Sequence, residues 1–237
     1  MQAFSGKEFI VILTGAGVSA ESGLGTFRDK DGLWMQYDLQ EVATPEGFAR
    51  NPDLVHAFYN ERRANNRAAK PNAAHDALAR LQREWQGDVL LVTQNIDDLH
   101  ERAGAKALIH MHGAIETALC NACEHRWPAP AQMRTQDPCP KCGAQATRPD
   151  VVWFGELPYQ MEEIWYELRQ ADLFVAIGTS GTVYPAAAFA QDAARAGAYC
   201  IEINAEASAV ADDFDEVILG PASKAVPQWV EELLLMR

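Results

Sequence analysis

Four cysteines stand as two pairs, Cys120-x2-Cys123 and Cys139-x2-Cys142, with fifteen residues between the pairs. Each pair can fold as a small knuckle that turns two sulfurs toward one centre, and four thiolates complete the tetrahedron that zinc prefers. With every position filled by protein, no site stays open for water, so the expected metal is structural. It would hold together a module too small for a core of its own. His125 lies close by but outside this spacing and reads as a bystander. The fifth cysteine, Cys200, falls inside an apolar run and reads as a packing thiol.

A second chemistry is offered by "TGAGVSAESG", which follows the apolar run "FIVIL". Gly15-x-Gly17-x-x-Ala20 matches the spacing at which glycines let the backbone approach a pyrophosphate at a helix N-terminus. The second strand ending in Asp or Glu, usual in hydride-transferring dehydrogenases, is missing. In its place comes the polar loop "GTFRDKDGLW". A dinucleotide is therefore expected and hydride transfer is not.

Three further stretches carry polar groups with chemical reach. "TQNIDDLH" (Thr93 to His100) sets amide and acid side chains at the end of an apolar run, where Asp97 or Asp98 also suits a helix cap. "IHMHG" sets His110 and His112 two apart, on one face of a strand, either as polar groups at a strand end or as metal ligands without an obvious carboxylate partner. "HAFYNERRANN" gathers arginines in an acidic chain. In a helix Tyr59 and Arg62 face the same way. A guanidinium fits a carboxylate bidentately, and a tyrosine hydroxyl can share it. Arg63 and Arg67, off that face, read as solvated surface.

Positioning these groups requires a sheet. "FIVIL", "DVLLVT", "ALIHM", "DLFVAIG", "AYCIEI" and "EVILG" are short apolar runs closed by turn residues, hence buried strands. Helical patterns such as "NAAHDALARLQREW" and "YPAAAFAQDAARAG" alternate with them. The expected fold is α/β, a doubly wound Rossmann-like parallel sheet covered on both faces, with ligands at the carboxyl ends of the strands. Residues 1–30, 72–118 and 148–237 would form it. Residues 31–71 make a helical insertion, with Asn51 as N-cap, Pro52 at the first helical position and Pro71 beyond the end. Residues 119–147 make the zinc-binding module.

Composition narrows the function classes. The chain has 237 residues, 48% hydrophobic and 22% charged, with a net charge of −13. Phosphate-backbone binding needs a basic surface, so nucleic acid is not an expected partner, and a basic peptide suits the field better. No apolar run is long enough to cross a membrane, and "FIVIL" is too short for a signal-peptide core. The expected location is the cytoplasm, where cysteines serve as metal ligands or free thiols rather than disulfides.

Taken together the chain resembles the sirtuins, the NAD-dependent protein-lysine deacylases. The matching stretches are "GAGVSAESGLGTFR", "TQNID", "HMHG", the four cysteines, "VVWFGE" (Val151 to Glu156), "GTS" (Gly178 to Ser180) and "EIN" (Glu202 to Asn204), in family order over almost the whole chain. The resemblance implies one NAD as co-substrate, one structural zinc, and acyl-lysine proteins or peptides as substrates, with nicotinamide and O-acyl-ADP-ribose as products. A monomer is compatible with the sequence.

By that resemblance His112 is the general base, with Asn95 beside it, and His110 is structural. Gly15, Ala16, Gly17, Ala20, Thr26 and Arg28 would hold the pyrophosphate and ribose side, and Phe27 would shield the reacting carbon from water. Gln94, Asn95, Ile96 and Asp97 would line the nicotinamide and ribose pocket. Gly178, Thr179, Ser180, Asn204, Ala205, Glu206 and Ala222 would contact the adenosine half. Val151, Val152, Phe154 and Gly155 would form an extended edge that takes the substrate peptide by strand addition. Tyr-x-x-Arg with a small alanine in the acyl pocket resembles the desuccinylase and demalonylase branch, which points to Tyr59, Arg62 and Ala43. The same pocket could instead serve a mono-ADP-ribosyltransferase or an NAD hydrolase. A non-catalytic NAD-sensing protein is the reading from another class, against which the intact "HMHG" and "TQNID" argue.

Overall fold

The computed structural model describes residues 6–25 and 37–236. Its strands are β1 (Ile10–Thr14), β2 (Val89–Thr93), β3 (Leu108–His110), β4 (Gly113–Cys120), β5 (Arg126–Pro128), β6 (Thr147–Val151), β7 (Leu173–Ile177), β8 (Tyr199–Asn204) and β9 (Glu216–Leu219). Its helices are α1 (Leu39–Val42), α2 (Pro45–Arg50), α3 (Pro52–Ala68), α4 (Ala73–Glu84), α5 (Leu99–Arg102), α6 (Met161–Leu168), α7 (Phe189–Ala196) and α8 (Ala222–Leu235).

Six strands form one sheet in the order β3-β2-β1-β7-β8-β9. Every pairing in it is parallel. Successive side chains of a strand point to opposite faces, so the central run must be apolar throughout. Ile10 and Ile12 pack with α4 and α8, against Leu78, Leu81, Val226 and Trp229. Val11 and Leu13 pack with α6 and α7 on the other face, against Ile164, Leu168, Phe189 and Ala193. Each such buried side chain contributes about 1.5–3 kcal/mol. All six expected strands form, and the doubly wound arrangement is the one found.

The second sheet, β5-β4-β6, is antiparallel and was not anticipated. Its short strands alternate with polar residues and sit among prolines and cysteines, so no apolar run marks them. Beyond it Ala118, Ala129 and Met133 form a core of their own with Trp127 against them, too small to order a module unaided.

The helical insertion packs on this second sheet. Val42, Ala43, Val55, Phe58 and Tyr59 cluster with Ile115, Val151 and Trp153. Asn51 caps α3 by accepting from the Leu54 amide at 3.1 Å, with Pro52 in the first turn as expected. Arg63 departs from the expected solvated reading. It is fully buried. It donates to the Ile115 carbonyl (2.9 Å) and to Asn60 Oδ1 (2.9 Å), with Met133 Sδ at 3.4 Å. The sheet and module loop that cover this face of α3 come from far along the chain, which is why the local pattern concealed it. Arg67 is at the surface, paired with Glu116 at 2.6 Å.

Candidate active site

Strand order reverses between β1 and β7, so the loops that leave their carboxyl ends diverge and open a crevice there. The loop after β1 is bound to the loop after β7, through Gly15 N to Ile177 O and Gly17 N to Gly178 O, both 2.9 Å. A Cβ on Gly15 would stand 2.7 Å from Gly178 O, and one on Gly17 2.7 Å from Gly178 Cα. Gly178 itself has φ +63, and a Cβ there would meet Val18 N at 2.5 Å. The glycines therefore first let two backbones interlock, and that interlock makes the floor of the crevice. Ala16–Val18 and Ala20–Ser22 are short 3-10 turns, in place of the longer helix expected after the fingerprint. Gly23, at φ 84, ends the second turn.

Beneath the floor lies a buried polar network. Ser19 Oγ donates to Asp97 Oδ2 (3.0 Å) and accepts from Asn95 Nδ2 (3.2 Å). Asn95 also donates to the Gly15 carbonyl at 3.1 Å. His75 Nδ1 accepts from the Asn72 amide, so its Nε2 carries the proton toward Ser19 Oγ, 3.3 Å away. His100 Nε2 meets Thr14 Oγ1 at 3.0 Å. Burial pushes His75 down to about 4 and His100 to about 3, so both are neutral. Burial also raises Asp97, opposed by hydrogen bonds from the Leu99 amide and Ser19. Asp98 holds the N-cap position of α5 without a side-chain bond, and Asp97, one residue before it, accepts from Leu99 N at 3.1 Å.

The two histidines, His110 at the end of β3 and His112 just beyond it, divide by their partners. His110 has acceptors at both nitrogens, Glu101 Oε1 at 2.7 Å and the Asn95 carbonyl at 3.1 Å. Burial opposes its charge, but these partners outweigh it and its pKa is raised. With an acceptor at each nitrogen its protonated form is favoured, and it ties β3 to α5. His112 has one acceptor, the Gln94 carbonyl at 3.0 Å from Nδ1. That bond places the proton on Nδ1 and leaves Nε2 with a lone pair and, among the described residues, no hydrogen-bond partner. Burial pushes His112 below its ordinary value, so it is neutral and basic at pH 7. The same spacing on one strand end thus yields one histidine held at both nitrogens and one with a free lone pair.

On the β7–β8 side Asn204 Nδ2 donates to the Thr179 carbonyl (2.7 Å), and Ser180 Oγ lies 2.8 Å from Thr182 Oγ1. Gly178, Thr179, Ser180, Asn204, Ala205 and Glu206 thus follow adjacent carboxyl ends, and Ala222 opens α8. Ile96 lies where the Ile115 amide donates to its carbonyl at 2.7 Å. Thr26, Phe27 and Arg28 lie outside the described residues.

Across the crevice Tyr59, Ala43 and Val151 share one apolar cluster. The Arg62 guanidinium carbon sits 5.6 Å from the Phe58 ring centroid and 5.8 Å from that of Tyr59. Burial works against the Arg62 charge and Tyr59 and Asp97 offset it in part. Burial also raises Tyr59, which keeps its phenolic proton. "VVWFGE" is not the extended edge expected. Only Val151 lies in a strand, and Trp153–Glu156 is a hydrogen-bonded turn, Glu156 N to Trp153 O at 3.0 Å, with Gly155 at φ +91. Val152 N donates to the His112 carbonyl and Phe154 N to that of Ala43, both 2.9 Å, and Trp153 N to Glu156 at 2.8 Å. Three successive amides are satisfied inside the protein, and Phe154, 47% exposed, projects at the turn.

The four cysteine sulfurs all lie within 4.8 Å of one another. Cys120 and Cys142 are 3.7 Å apart and Cys123 and Cys139 3.8 Å. A tetrahedron with zinc–sulfur bonds of about 2.3 Å has edges of about 3.8 Å, so the set fits one zinc ion. His125 stacks on Trp127 and takes no part in the cluster.

The sequence pattern of the Sir2 family matches residues 15–185, which include the floor glycines, both histidines and all four cysteines. The chain belongs to the Sir2 family. A protein of Caulobacter vibrioides named NAD-dependent protein deacylase is 56% identical over 229 residues, 95% of this chain and 96% of that one. A solved Sir2 homologue–NAD complex superposes with TM-score 0.88 at 38% identity, covering 95% of this chain and 89% of that one. A Sir2 protein bound to acetylated peptide superposes with TM-score 0.80 at 28% identity, covering 94% and 92%.

Within this Sir2 site several residues went unread in the sequence. Ser19 sits inside the glycine fingerprint, and its spacing there was the available signal. His75 hid as an ordinary residue of the first turn of α4. Trp153, though inside "VVWFGE", and Arg148 had no role assigned, because what they touch is set by tertiary packing. Glu202, buried in β8, accepts from the Ser208 amide (3.1 Å) and from Asn204 (3.3 Å), and so shapes the loop after β8. Among the described residues no helix is long and apolar enough to cross a membrane.

Proposed function

We propose that this enzyme is an NAD-dependent protein deacylase acting on acyl-lysine side chains, with succinyl and malonyl groups as its characteristic substrates and acetyl as a further one. What supports this reading is a neutral histidine, His112, with its lone pair on Nε2, together with Arg62, whose guanidinium carbon lies 5.8 Å from the Tyr59 ring centroid and whose charge is favoured by Asp97. NAD, when bound, supplies the ribose that accepts the acyl group and the nicotinamide that leaves. Gly15, Ala16, Gly17, Ala20, Gln94, Asn95, Ile96 and Asp97 would hold its reacting half. Gly178, Thr179, Ser180, Asn204, Ala205, Glu206 and Ala222 would hold the adenosine half.

The chain's own contribution is proton handling and orientation. His112 accepts a proton at Nε2 while the Gln94 carbonyl keeps the ring in that tautomer, as a base near working pH requires. Arg62 and the Tyr59 hydroxyl receive the acyl carboxylate, which would otherwise lose water without compensation. Ala43, at the wall beside Tyr59, leaves room for the longer acyl chain. Val151 lines the same wall, and Val152, Phe154 and Gly155 meet the peptide around the projecting turn. One zinc on Cys120, Cys123, Cys139 and Cys142 orders the small module. The thiolates such a centre needs suit the reducing cytoplasm, where the enzyme would act as a monomer.

Incubation with NAD and matched acetyl-, malonyl- and succinyl-lysine peptides tests the reading. Release of nicotinamide together with deacylated peptide, fastest for the acidic acyl groups, is expected. Nicotinamide release without loss of the acyl group would instead make the protein an NAD hydrolase or ADP-ribosyltransferase.

A further inference from the structure

Trp153 is 2% exposed, and its indole Nε1 donates to the Tyr59 hydroxyl at 3.0 Å. A phenol has one proton to give, and the lone pairs of its oxygen to receive. Arg62, a donor only, also hydrogen-bonds that oxygen. With N–H donors from the indole and the guanidinium on the oxygen, the Tyr59 proton must point elsewhere, and a hydroxyl so arranged can donate to an anion in the acyl pocket. An anion needs that polarity, because a hydroxyl presenting its lone pairs would repel it.

The indole is held more firmly than packing requires. The Arg148 guanidinium lies 3.4 Å from its ring centroid. Arg148 is fixed in turn by both Glu156 oxygens, at 2.6 and 2.9 Å, and by the Val151 carbonyl at 2.7 Å. Glu156 also accepts the backbone amide of Trp153 at 2.8 Å, and Phe48 lies 5.1 Å from the indole, centroid to centroid. A buried ion pair is weak evidence for stability, since apolar residues of similar volume often serve as well. What this pair does is fix the plane of one ring, and that ring sets the direction of one hydroxyl.

We propose that Trp153 is a specificity-determining positioning residue: its indole N–H orients the Tyr59 hydroxyl to donate to the acyl carboxylate, and the Arg148–Glu156 pair holds the indole in place. The proposal rests on the acidic-acyl reading of Tyr59 and Arg62.

The test compares kcat/KM on succinyl- and acetyl-lysine peptides for the intact enzyme with saturating NAD. Trp153→Phe keeps a flat ring under Arg148 but removes the N–H. It should lower the succinyl-to-acetyl ratio by about five- to tenfold, the scale of one hydrogen bond, and chiefly through KM for the succinyl peptide. Tyr59→Phe should lower the ratio similarly, and adding Trp153→Phe to it should lower it no further, because the indole acts only through the hydroxyl. Glu156→Gln, a milder change that leaves Trp153 in place, should shift the ratio in the same direction by about two- to threefold, and serves if Trp153→Phe does not fold. Equal loss on both peptides, additive effects in the double variant, or an unmoved ratio in Glu156→Gln would overturn the proposal. Arg62→Met separates the two levels. If it leaves the ratio unmoved, the acidic-acyl reading itself fails; if it collapses the ratio while Trp153→Phe does not, only the role of Trp153 fails.

Discussion

The two walls of the crevice are built by different means. The floor is backbone against backbone: Gly15, Gly17 and Gly178 meet where a Cβ would come within 3 Å of a main-chain atom. Below it, neutral buried histidines and Ser19 hold the loop down. The far wall is side chain against side chain, with Tyr59, Phe48 and Arg148 each set against Trp153. Backbone cannot give way by changing rotamer, so a change in the floor must disturb everything the crevice does. Side chains can be exchanged one at a time, so on the proposed function a change in the wall should alter which acyl group is accepted. A scaffold common to a family and a selectivity particular to one member can therefore share one crevice.

Four variants or conditions separate the two walls, taken from the largest expected effect to the smallest. His112→Ala removes the group between them and should lower turnover on every acyl peptide by about 10²–10⁴-fold, with melting temperature and zinc content retained. Near-parental rates would mean that another group is the base. Next, Arg62→Met should weaken transition-state binding of succinyl-lysine by about 2–5 kcal/mol while affecting acetyl-lysine far less. Steady-state kinetics on both peptides would measure it. Equal losses would move Arg62 from the selective wall to the common scaffold.

Acid should undermine the floor. His75 refuses a proton in the fold until about pH 4, and His100 until about pH 3. In the unfolded chain both take one near pH 6.5. Their contribution is thus complete above about pH 6.5 and declines as pH falls toward 4, by about 3 kcal/mol for His75 alone. Melting curves across this window should fall with pH, and His75→Asn should flatten the fall. An unchanged slope in that variant would mean the histidine is protonated in the fold. The smallest effect on acyl choice is expected of Gly178→Ala, whose left-handed backbone strain costs about 2 kcal/mol of stability before the crowding of Val18 N and the Gly17 backbone is added. Its kinetic signature matters more than its size: KM for NAD should rise in step for acetyl and succinyl peptides. A change in the succinyl-to-acetyl ratio would break the distinction between floor and wall.

Much of the molecule was legible because its causes are local. Six apolar runs become six parallel strands, since a strand buried on both faces must be apolar at every position. The ends of α3 follow from Asn51, Pro52 and Pro71, because capping and proline geometry act within a turn. The cysteine spacing holds the ligand set, as the two knuckles are themselves local. The glycines of the β1 loop announced a backbone approach, though the partner backbone proved to be Gly178.

What the sequence left open lies where neighbours come from elsewhere in the chain. His110 and His112 are indistinguishable by type and spacing. Glu101 and the Asn95 carbonyl favour the charged form of the first, and the Gln94 carbonyl leaves the second neutral with a lone pair on Nε2. Arg62 and Arg63 are consecutive on one helix, yet the Ile115 carbonyl and Asn60 take Arg63 into the interior while Arg62 stands over aromatic rings beside the crevice. "VVWFGE" has the composition of a strand, but once Glu156 reaches back to the Trp153 amide and to Arg148 it turns instead. A residue type determines which hydrogen bonds and charges are available, and a short spacing determines which face it shares. Which of those bonds forms, and therefore where a proton rests, is decided by groups that only the folded chain brings within 3 Å.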